Sequence, residues 1–334
     1  MNDRDLLLKL AAGPASGEAL TGADGLTRAA VWKRIQALRE AGIEIDARAG
    51  RGYALRQPPD LLDAEAIRAA LAADAIAALE TLEVAWNLDS TNSELLRRPA
   101  PMRGSAVLLA ERQSGGRGRR GRAWASPLAA NVYLSVSRGF GGGLAHLGGL
   151  SLVAGVACAD ALHALGFAGV RLKWPNDLVV TDDQGLRKLG GLLVEGGGEL
   201  AGHARAVVGL GVNVRMPEAF GRLIDQPWTD LAHLAPEPPS RNDIAAGMLS
   251  RLLPALAQFD REGLAPFLRR YAAFDALRDR VVVVQRGDVG QRGIARGVAD
   301  DGALRLELED GSELKLHSGE VSVRDAACLA MEER

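Results

Sequence analysis

The segment from Arg112 to Arg122 carries an unusual concentration of arginine and glycine. Its eleven residues include five arginines and four glycines, and they lie between an apolar stretch ending at Ala110 and the aromatic Trp124. Glycines let a backbone fold closely around a ligand, and guanidinium groups bind phosphate or carboxylate in a fixed geometry. The composition favours an anion-capturing loop over a plain exposed loop or an arginine-glycine segment that binds single-stranded nucleic acid.

Three further polar motifs fall where predicted strands begin or end. They are Asp89-Ser-Thr-Asn92, Lys173-Trp-Pro-Asn-Asp177 and Lys188-Leu-Gly-Gly191. Each has a simple structural explanation when taken alone: a helix cap, a turn or a solvated lysine. Together they supply hydroxyls, amides and cations, without a Ser-His-Asp or Cys-His nucleophile set. A site of this kind works by electrostatic stabilisation, as in phosphoryl or nucleotidyl transfer.

An alternation of apolar strands and helices must position these motifs, and it predicts an α/β domain over residues 61–277. Strands are predicted over 82–86, 106–110, 132–137, 170–173, 189–195 and 206–214. Helices are predicted over 63–80, 93–97, 147–165, 241–260 and 266–274. Beyond it, residues 278–334 change to short strands separated by Asp-Gly turns, which predicts a small β-barrel-like module.

Residues 1–60 predict a winged helix-turn-helix domain. Thr27 is a helix cap, Gly42 ends the same helix, and residues 43–55 form two short strands that make the wing. Between residues 25 and 56 there are seven Lys or Arg and three acidic residues, a net charge of +4. A helical packing module would explain these residues too, but a basic helix face beside a basic wing favours DNA. The candidate DNA contacts are Arg28, Trp32, Lys33, Gln36, Arg39, Arg48 and Arg51.

The overall composition excludes several other classes. The 334 residues have a net charge of −2, which excludes a globally basic nucleic-acid coat. Two distant cysteines and five isolated histidines exclude a disulfide framework and a zinc site built from cysteine or histidine pairs. The acidic N-terminus lacks a signal peptide, and the uncharged stretch 139–159 contains seven glycines, which disfavours a membrane span. We therefore expect a cytoplasmic protein with no membrane partner.

Taken together, the motifs resemble those of bifunctional biotin protein ligases that also repress a biotin operon. The resemblance covers nearly the whole chain and includes Gln113, Trp124-Ala-Ser-Pro and Gly209-Leu-Gly-Val-Asn213 besides the motifs above. Gly116-Arg-Gly-Arg-Arg-Gly is its most specific part. The resemblance implies a catalytic domain similar to class II synthetases, an N-terminal winged helix and a C-terminal SH3-like barrel. The segment 181–187 departs from the family as a longer and more polar link.

The resemblance also implies a two-step reaction. Biotin and ATP, with Mg²⁺, form biotinyl-5′-adenylate, and a lysine of the biotin carboxyl carrier protein of acetyl-CoA carboxylase then accepts the biotin. By the same resemblance, Arg119 and Lys188 are the catalytic residues. Those implied to bind biotin or its adenylate are Ser90, Thr91, Asn92, Gln113, Arg117, Gly118, Arg119, Trp124 and Lys188. Further candidates are Lys173, Asn176, Asp177, Gly191 and Asn213.

A regulatory role completes the implied function. In the family the adenylate favours a homodimer, and the dimer binds operator DNA, so a scarcity of acceptor leads to repression. Two alternatives stay open at this point: a lipoate-type acyl-carrier ligase, and a non-catalytic transcription regulator that senses a small ligand.

Overall fold

The computed structural model describes residues 1–21, 27–48, 52–198, 202–286, 289–318 and 321–325. Three units follow one another along the chain: a small helical unit with a two-stranded sheet, an α/β unit around a seven-stranded sheet, and a five-stranded antiparallel sheet. This order confirms the predicted fold class.

The N-terminal unit consists of α1 (Asp3–Ala11), α2 (Gly17–Thr21), α3 (Arg28–Glu40), β1 (Ile45–Arg48) and β2 (Gly52–Leu55). Thr27 Oγ1 accepts the Ala30 N–H at the start of α3, and Gly42 follows its end with a φ of 106°. Apolar side chains of α1 and α3 are buried against each other: Leu6, Leu7, Leu10, Val31, Ile35 and Leu38. β1 and β2 pair antiparallel as the predicted wing, and the tip at 49–51 lies outside the described residues.

The central unit contains nine α-helices, seven strands and a short 3-10 helix at Arg119–Gly121 among its described residues. In chain order they are α4 (Ala64–Ala69), α5 (Ala73–Ala77), β3 (Leu79–Ala85), α6 (Thr91–Arg97), β4 (Ser105–Ala110), β5 (Val132–Phe140), α7 (Gly143–His146), α8 (Leu150–Ala164), β6 (Arg171–Lys173), β7 (Asp177–Asp182), β8 (Gly185–Gly198), β9 (Ala204–Val212), α9 (Glu218–Gly221), α10 (Leu231–Leu234), α11 (Arg241–Glu262) and α12 (Ala265–Phe274). The strand order is β3-β4-β5-β9-β8-β7-β6. β3 and β4 run parallel, and the other neighbours run antiparallel.

One predicted element of this unit was wrong, and one strand was not predicted. The single helix over 63–80 is two short helices, α4 and α5, followed by β3. It is interrupted because Ala72 is extended and its N–H donates to Ser250 Oγ on α11, 3.0 Å away. The polar link at 181–187 is the end of a hairpin between β7 and β8, and β7 was not predicted.

The two faces of the large sheet differ. One face packs on α8 and α11, and the inward residues Leu134, Val136, Val208 and Leu210 belong to the main core. By length and composition alone the stretch 143–164 is apolar enough to cross a membrane, but most residues of α8 are buried in this core. The opposite face of the sheet carries α6 and the arginine-rich loop.

The C-terminal unit is a five-stranded antiparallel sheet. Its strands are β10 (Val281–Arg286), β11 (Val289–Val298), β12 (Leu304–Glu307), β13 (Glu313–Leu316) and β14 (Val321–Asp325), in the order β13-β12-β11-β10-β14. Val282, Ala295 and Leu306 continue the core of the central unit. The predicted small β-module is confirmed, while its closure into an SH3-like barrel stays a prediction.

Two contacts fix the N-terminal unit to the central one. Leu128 is 3 % exposed and packs in the N-terminal core, and its N–H donates to Ala41 O at 2.7 Å. Arg241 and Glu111 form a buried ion pair of 2.8 Å that also binds the connecting segment. Arg241 donates to Asp60 O, and Glu111 accepts the Leu62 N–H.

Candidate active site

A cleft of about 580 Å³ opens on the face of the sheet that carries α6. It collects all four polar motifs, although they are far apart in the sequence. The predicted residues that line it are Ser90, Thr91, Asn92, Gln113, Arg117, Gly118, Arg119, Trp124, Lys173, Asn176, Asp177, Lys188 and Gly191. Every residue predicted from the resemblance to bind or activate the ligand therefore lies at one place, apart from the further candidate Asn213.

Two glycines of β9 form the floor of the cleft. A Cβ atom at Gly209 would lie 2.2 Å from Asn92 Oδ1, and one at Gly211 would lie 2.6 Å from the Trp124 indole. Real Cβ atoms do not approach other atoms so closely, so the two side chains rest on a strip of backbone that only glycine leaves free.

Strand register divides the cleft into two adjacent rows. Gly209 lies opposite Ser135 on β5 and Leu193 on β8. Gly211 lies opposite Gly191, which in turn lies opposite Asp177 on β7. Residues two apart on a strand share a face and are about 7 Å from each other. The row at Gly209 is called the neutral end below, and the row at Gly211 the charged end.

Hydrogen bonds at the neutral end fix the direction of two amide side chains. The Thr91 N–H, which is only a donor, lies 2.8 Å from Gln113 Oε1, so the Gln113 amide nitrogen faces away from it. The carbonyl of Leu193 is only an acceptor, and it lies 3.2 Å from Asn92 Nδ2. Ser135 Oγ donates to Asn92 Oδ1 at 2.6 Å. Asn92 therefore offers the ligand an acceptor, while Gln113 retains one amide N–H besides the one it gives to Ser126 Oγ.

Cationic side chains gather at the charged end. Lys188 Nζ lies 2.8 Å from Asp177 Oδ1 and 5.5 Å from the centre of the Trp124 ring. Arg119 donates to Asn176 Oδ1 at 3.2 Å and to Ser318 O of the C-terminal unit. Burial, and then the charge of Arg120, lower the pKa of the Arg119 guanidinium, which stays charged at neutral pH. These cationic side chains are arranged to bind an anionic group of a ligand.

Asn213 has a different place from the one predicted. Its side chain is 3 % exposed and donates to Thr229 O at 3.0 Å, and its N–H donates to Leu189 O. It does not line the cleft, and it joins the chain after β9 to Leu189 of β8 and to the loop at Thr229.

The candidate DNA-binding residues lie mainly on one face of α3. Arg28, Trp32 and Lys33 are exposed, Trp32 to 57 %, and Gln36 is half-buried. Arg39 is held inside the unit, because its guanidinium donates twice to Ile45 O, at 3.0 and 2.7 Å. Arg48 ends β1, and Arg51 lies outside the described residues. DNA contact by these residues stays a prediction.

Two polar residues of the cleft network escaped the sequence analysis. Ser135 lies in the middle of β5, where its alternation with apolar neighbours was the available signal. Glu195 lies on β8 beyond the glycines, and its carboxylate accepts from Asn92 and Arg117. Its partners are 103 and 78 residues away in the chain, so no local pattern indicates the contact.

The carboxylate side chains of the cleft are the candidate ligands for Mg²⁺. Among the described residues no three His, Cys, Asp or Glu side chains form a cluster that would hold a metal ion. Asp177 and Asp225 line the cleft. Mg²⁺ is often held by one or two carboxylates together with substrate phosphates, so these residues fit an ion that arrives with a nucleotide.

Comparisons with known proteins agree with this geometry. Residues 86–213 match the biotin/lipoate A/B protein ligase family, 4–54 an HTH domain, and 280–324 the biotin protein ligase C terminal domain. The bifunctional ligase/repressor BirA of Escherichia coli is 40 % identical over 331 residues, which are 98 % of this chain and 99 % of that protein. This chain belongs to the bifunctional ligase/repressor family. The BirA protein of Salmonella typhimurium is 42 % identical over 93 % of each chain.

A solved structure extends the agreement to the fold of the ligase part. The biotin protein ligase from Aquifex aeolicus, in complex with biotin and ATP, covers 74 % of this ligase/repressor and all of its own chain. The identity is 25 % and the TM-score 0.62. In this ligase/repressor the neutral end and the two floor glycines all fall within the matched segment 86–213.

Proposed function

We propose that this ligase/repressor activates biotin with ATP, transfers it to a lysine of a biotin carboxyl carrier protein, and represses a biotin operon. One observation carries the enzymatic part of the proposal. The neutral end offers one acceptor, Asn92 Oδ1, and one donor, the Gln113 amide, and it directly adjoins the charged end with its cations. Biotin has the matching order of groups, a neutral cyclic urea at one end and a carboxylate at the other.

The neutral end favours biotin over lipoate. The urea N–H groups are donors and match Asn92 Oδ1, while the urea carbonyl matches the remaining amide N–H of Gln113. The dithiolane ring of lipoate has neither group and would leave both side chains without a partner. A site built to bind polar groups rejects an analogue that lacks them far more strongly than an apolar pocket rejects a small change in size.

The charged end supplies what adenylation needs. The biotin carboxylate forms a bond to the α-phosphorus of ATP, and pyrophosphate leaves with the electrons of the broken P–O bond. Lys188 stabilises the negative charge that develops during this step, and Arg119 retains the anionic adenylate once it has formed. The acceptor lysine then attacks the acyl carbon and loses a proton, and AMP leaves. The described residues of the cleft include no cysteine or histidine, which suits a reaction whose nucleophiles come from the substrates.

Asp177 is the residue that would hold Mg²⁺ together with the phosphates of ATP. The ion would neutralise phosphate charge during pyrophosphate release. Asp177 already accepts from Lys188, so it holds the lysine at the charged end when no nucleotide is present.

The repressor role rests on the exposed face of α3 and on the family. Lysine and arginine bind phosphates for affinity, and Gln36 and Arg28 offer hydrogen bonds to base edges. We propose that the adenylate-bound protein is a homodimer that reads two half-sites, and that it acts in the cytoplasm. For such regulation the adenylate must bind the dimer-forming conformation more tightly than the other.

The enzymatic proposal is tested by exchange of labelled pyrophosphate into ATP, with biotin and lipoate in parallel. Exchange with biotin alone is expected. Exchange with lipoate alone would overturn the proposal in favour of a lipoate-type ligase, and folded protein that binds biotin without exchange would be a ligand sensor.

The repressor proposal is tested by fluorescence anisotropy on DNA from the biotin-synthesis promoter of the source organism. Biotin with ATP is expected to strengthen binding to that DNA. Lys33→Ala is expected to weaken binding to every sequence and reduce its salt dependence, whereas Gln36→Ala is expected to reduce discrimination between sequences. DNA affinity that does not respond to biotin and ATP would contradict the proposal.

A further inference from the structure

Glu195 joins the two elements that enclose the neutral end. Its Oε2 accepts from Asn92 Nδ2 on α6 at 2.9 Å, and its Oε1 accepts from Arg117 in the arginine-rich loop at 3.2 Å. The same arginine donates to Ser93 Oγ at 3.0 Å. The Glu195 side chain is 28 % exposed and that of Arg117 43 % exposed, so the pair is partly open to water on the side of the loop. One carboxylate therefore sets the distance between α6 and the loop.

The carboxylate also controls what Asn92 offers to a ligand. An amide nitrogen has two N–H groups, and those of Asn92 are taken by Leu193 O and Glu195. No donor then remains on Asn92, whereas its Oδ1 accepts from Ser135 and has a second lone pair. An ionised carboxylate only accepts, so it holds the amide in this one orientation.

A second effect of Glu195 concerns charge. Arg117 places a cation beside the row at Gly209, where the proposed function puts an uncharged urea. Glu195 pairs with that cation and offsets it locally. Arg119 and Lys188 lie near the row at Gly211, so the substrate carboxylate is attracted to that end of the cleft.

We infer that Glu195 is a positioning residue that makes the neutral end an acceptor for ligand N–H groups and thereby selects a urea headgroup. It acts through Asn92 and Arg117 and does not touch the reacting atoms. The inference rests on the proposed function, which it deepens by assigning specificity to a residue outside the recognised motifs.

The decisive variant is Glu195→Gln, which keeps the size of the side chain. A glutamine amide has one oxygen acceptor and one NH2 donor. In one orientation its NH2 group faces the Arg117 guanidinium, and in the other it faces the Asn92 NH2 group, so one donor always meets another donor. Biotin affinity measured by isothermal titration calorimetry is expected to fall about tenfold, because either Asn92 or Arg117 then faces a donor in place of an acceptor. The kcat for exchange at saturating biotin is expected to change less than about twofold, since the charged end is intact.

Three comparisons separate positioning from a general structural role. Desthiobiotin, which retains the urea, is expected to lose affinity as biotin does, whereas any binding of lipoate is expected to stay the same. In an Asn92→Ala background, Glu195→Gln is expected to weaken biotin less than about twofold, because coupled residues are not additive. Glu313→Gln, which breaks an exposed ion pair with Arg305 on β12, is the matched control and is expected to bind biotin as wild type does.

Several results would overturn the inference. Wild-type biotin affinity in Glu195→Gln would do so, as would an undiminished loss in the Asn92→Ala background or an equal loss for lipoate. If Glu195→Gln does not fold, Glu195→Asp gives the same test, because the shorter side chain withdraws its acceptor from Asn92. Wild-type protein that binds biotin without exchange would refute the proposed function alone, and the affinities of the variants would still decide the role of Glu195.

Discussion

Lys188 Nζ and Asp177 Oδ1 lie 2.8 Å apart at the charged end, and each side chain is 19 % exposed. The pairing brings together two motifs that adjoin different strands, because Asp177 begins β7 and Lys188 lies in β8. Gly191 lies beside the pair: a Cβ atom there would be tight against Lys188 Cε at 3.3 Å and in ordinary contact with Asp177 Oδ1 at 3.5 Å. The lysine is thus held at the cleft by a carboxylate before an anionic substrate arrives.

Lys188→Ala is expected to slow adenylation by at least about 100-fold, because it removes a cation aimed at the charge that develops on the phosphate. Pyrophosphate exchange measures this loss. Thermal unfolding should change little, since the lysine lies at the edge of the cleft and not in the core. Exchange at the wild-type rate would remove Lys188 from the site.

Arg119→Gly is expected to leave adenylation active but to release the adenylate about tenfold faster or more, because a charge-assisted contact to the intermediate is lost. Free adenylate then modifies lysines without selection. Mass spectrometry of a bystander protein incubated with enzyme, biotin and ATP measures this. Retention of the adenylate as in the wild type would refute the role.

Gly209→Ala is expected to abolish biotin binding, because the new Cβ atom would occupy the position of Asn92 Oδ1, 2.2 Å away. Overpacking of this kind costs about 1 to 3 kcal/mol, so the protein should still fold. Gly197→Ala on β8 is the matched control, since a Cβ atom there meets nothing within 4 Å. Calorimetry with biotin compares the two, and equal affinities would show that Asn92 has room to move.

Asp275→Asn is expected to stabilise the protein at pH 7 more than at pH 4. Burial raises the pKa of the Asp275 carboxyl, so the folded state holds its proton more tightly than the unfolded state. Stability therefore falls as the pH rises from the unfolded pKa through the folded one, and asparagine removes this loss. Asparagine can still accept the Leu277 N–H, which lies 2.9 Å from Asp275 Oδ1.

Urea unfolding at the two pH values measures this effect. Asp182→Asn provides the opposite case, because its hydrogen bond with Arg187 lowers the pKa of Asp182. That variant is expected to gain no stability at pH 7. A gain for Asp275→Asn that is equal at both pH values would contradict burial as the cause.

Local sequence patterns predicted most of the site because its motifs adjoin the strands of one sheet. The strands bring the Ser90-Thr-Asn and Lys188-Leu-Gly-Gly motifs together without further information. Glu195 could not be predicted in this way, since its contacts depend on how α6 and the arginine-rich loop fold over β8. The helix over 63–80 failed for a similar reason: alanine favours a continuous helix, but the Ala72 N–H donates to Ser250, which is distant in the sequence.

The short segment from Trp124 to Leu128 joins the cleft to the core of the DNA-binding unit. Trp124 stands on Gly211 at one end, and Leu128 is buried beside Ala41 at the other. If the adenylate raises the affinity for DNA through these five residues, DNA must raise the affinity for the adenylate by the same factor, because linkage between two binding sites is reciprocal. Binding of operator DNA would therefore increase the affinity of the protein for the adenylate. While the operon is repressed, less adenylate would be consumed by transfer of biotin to the acceptor.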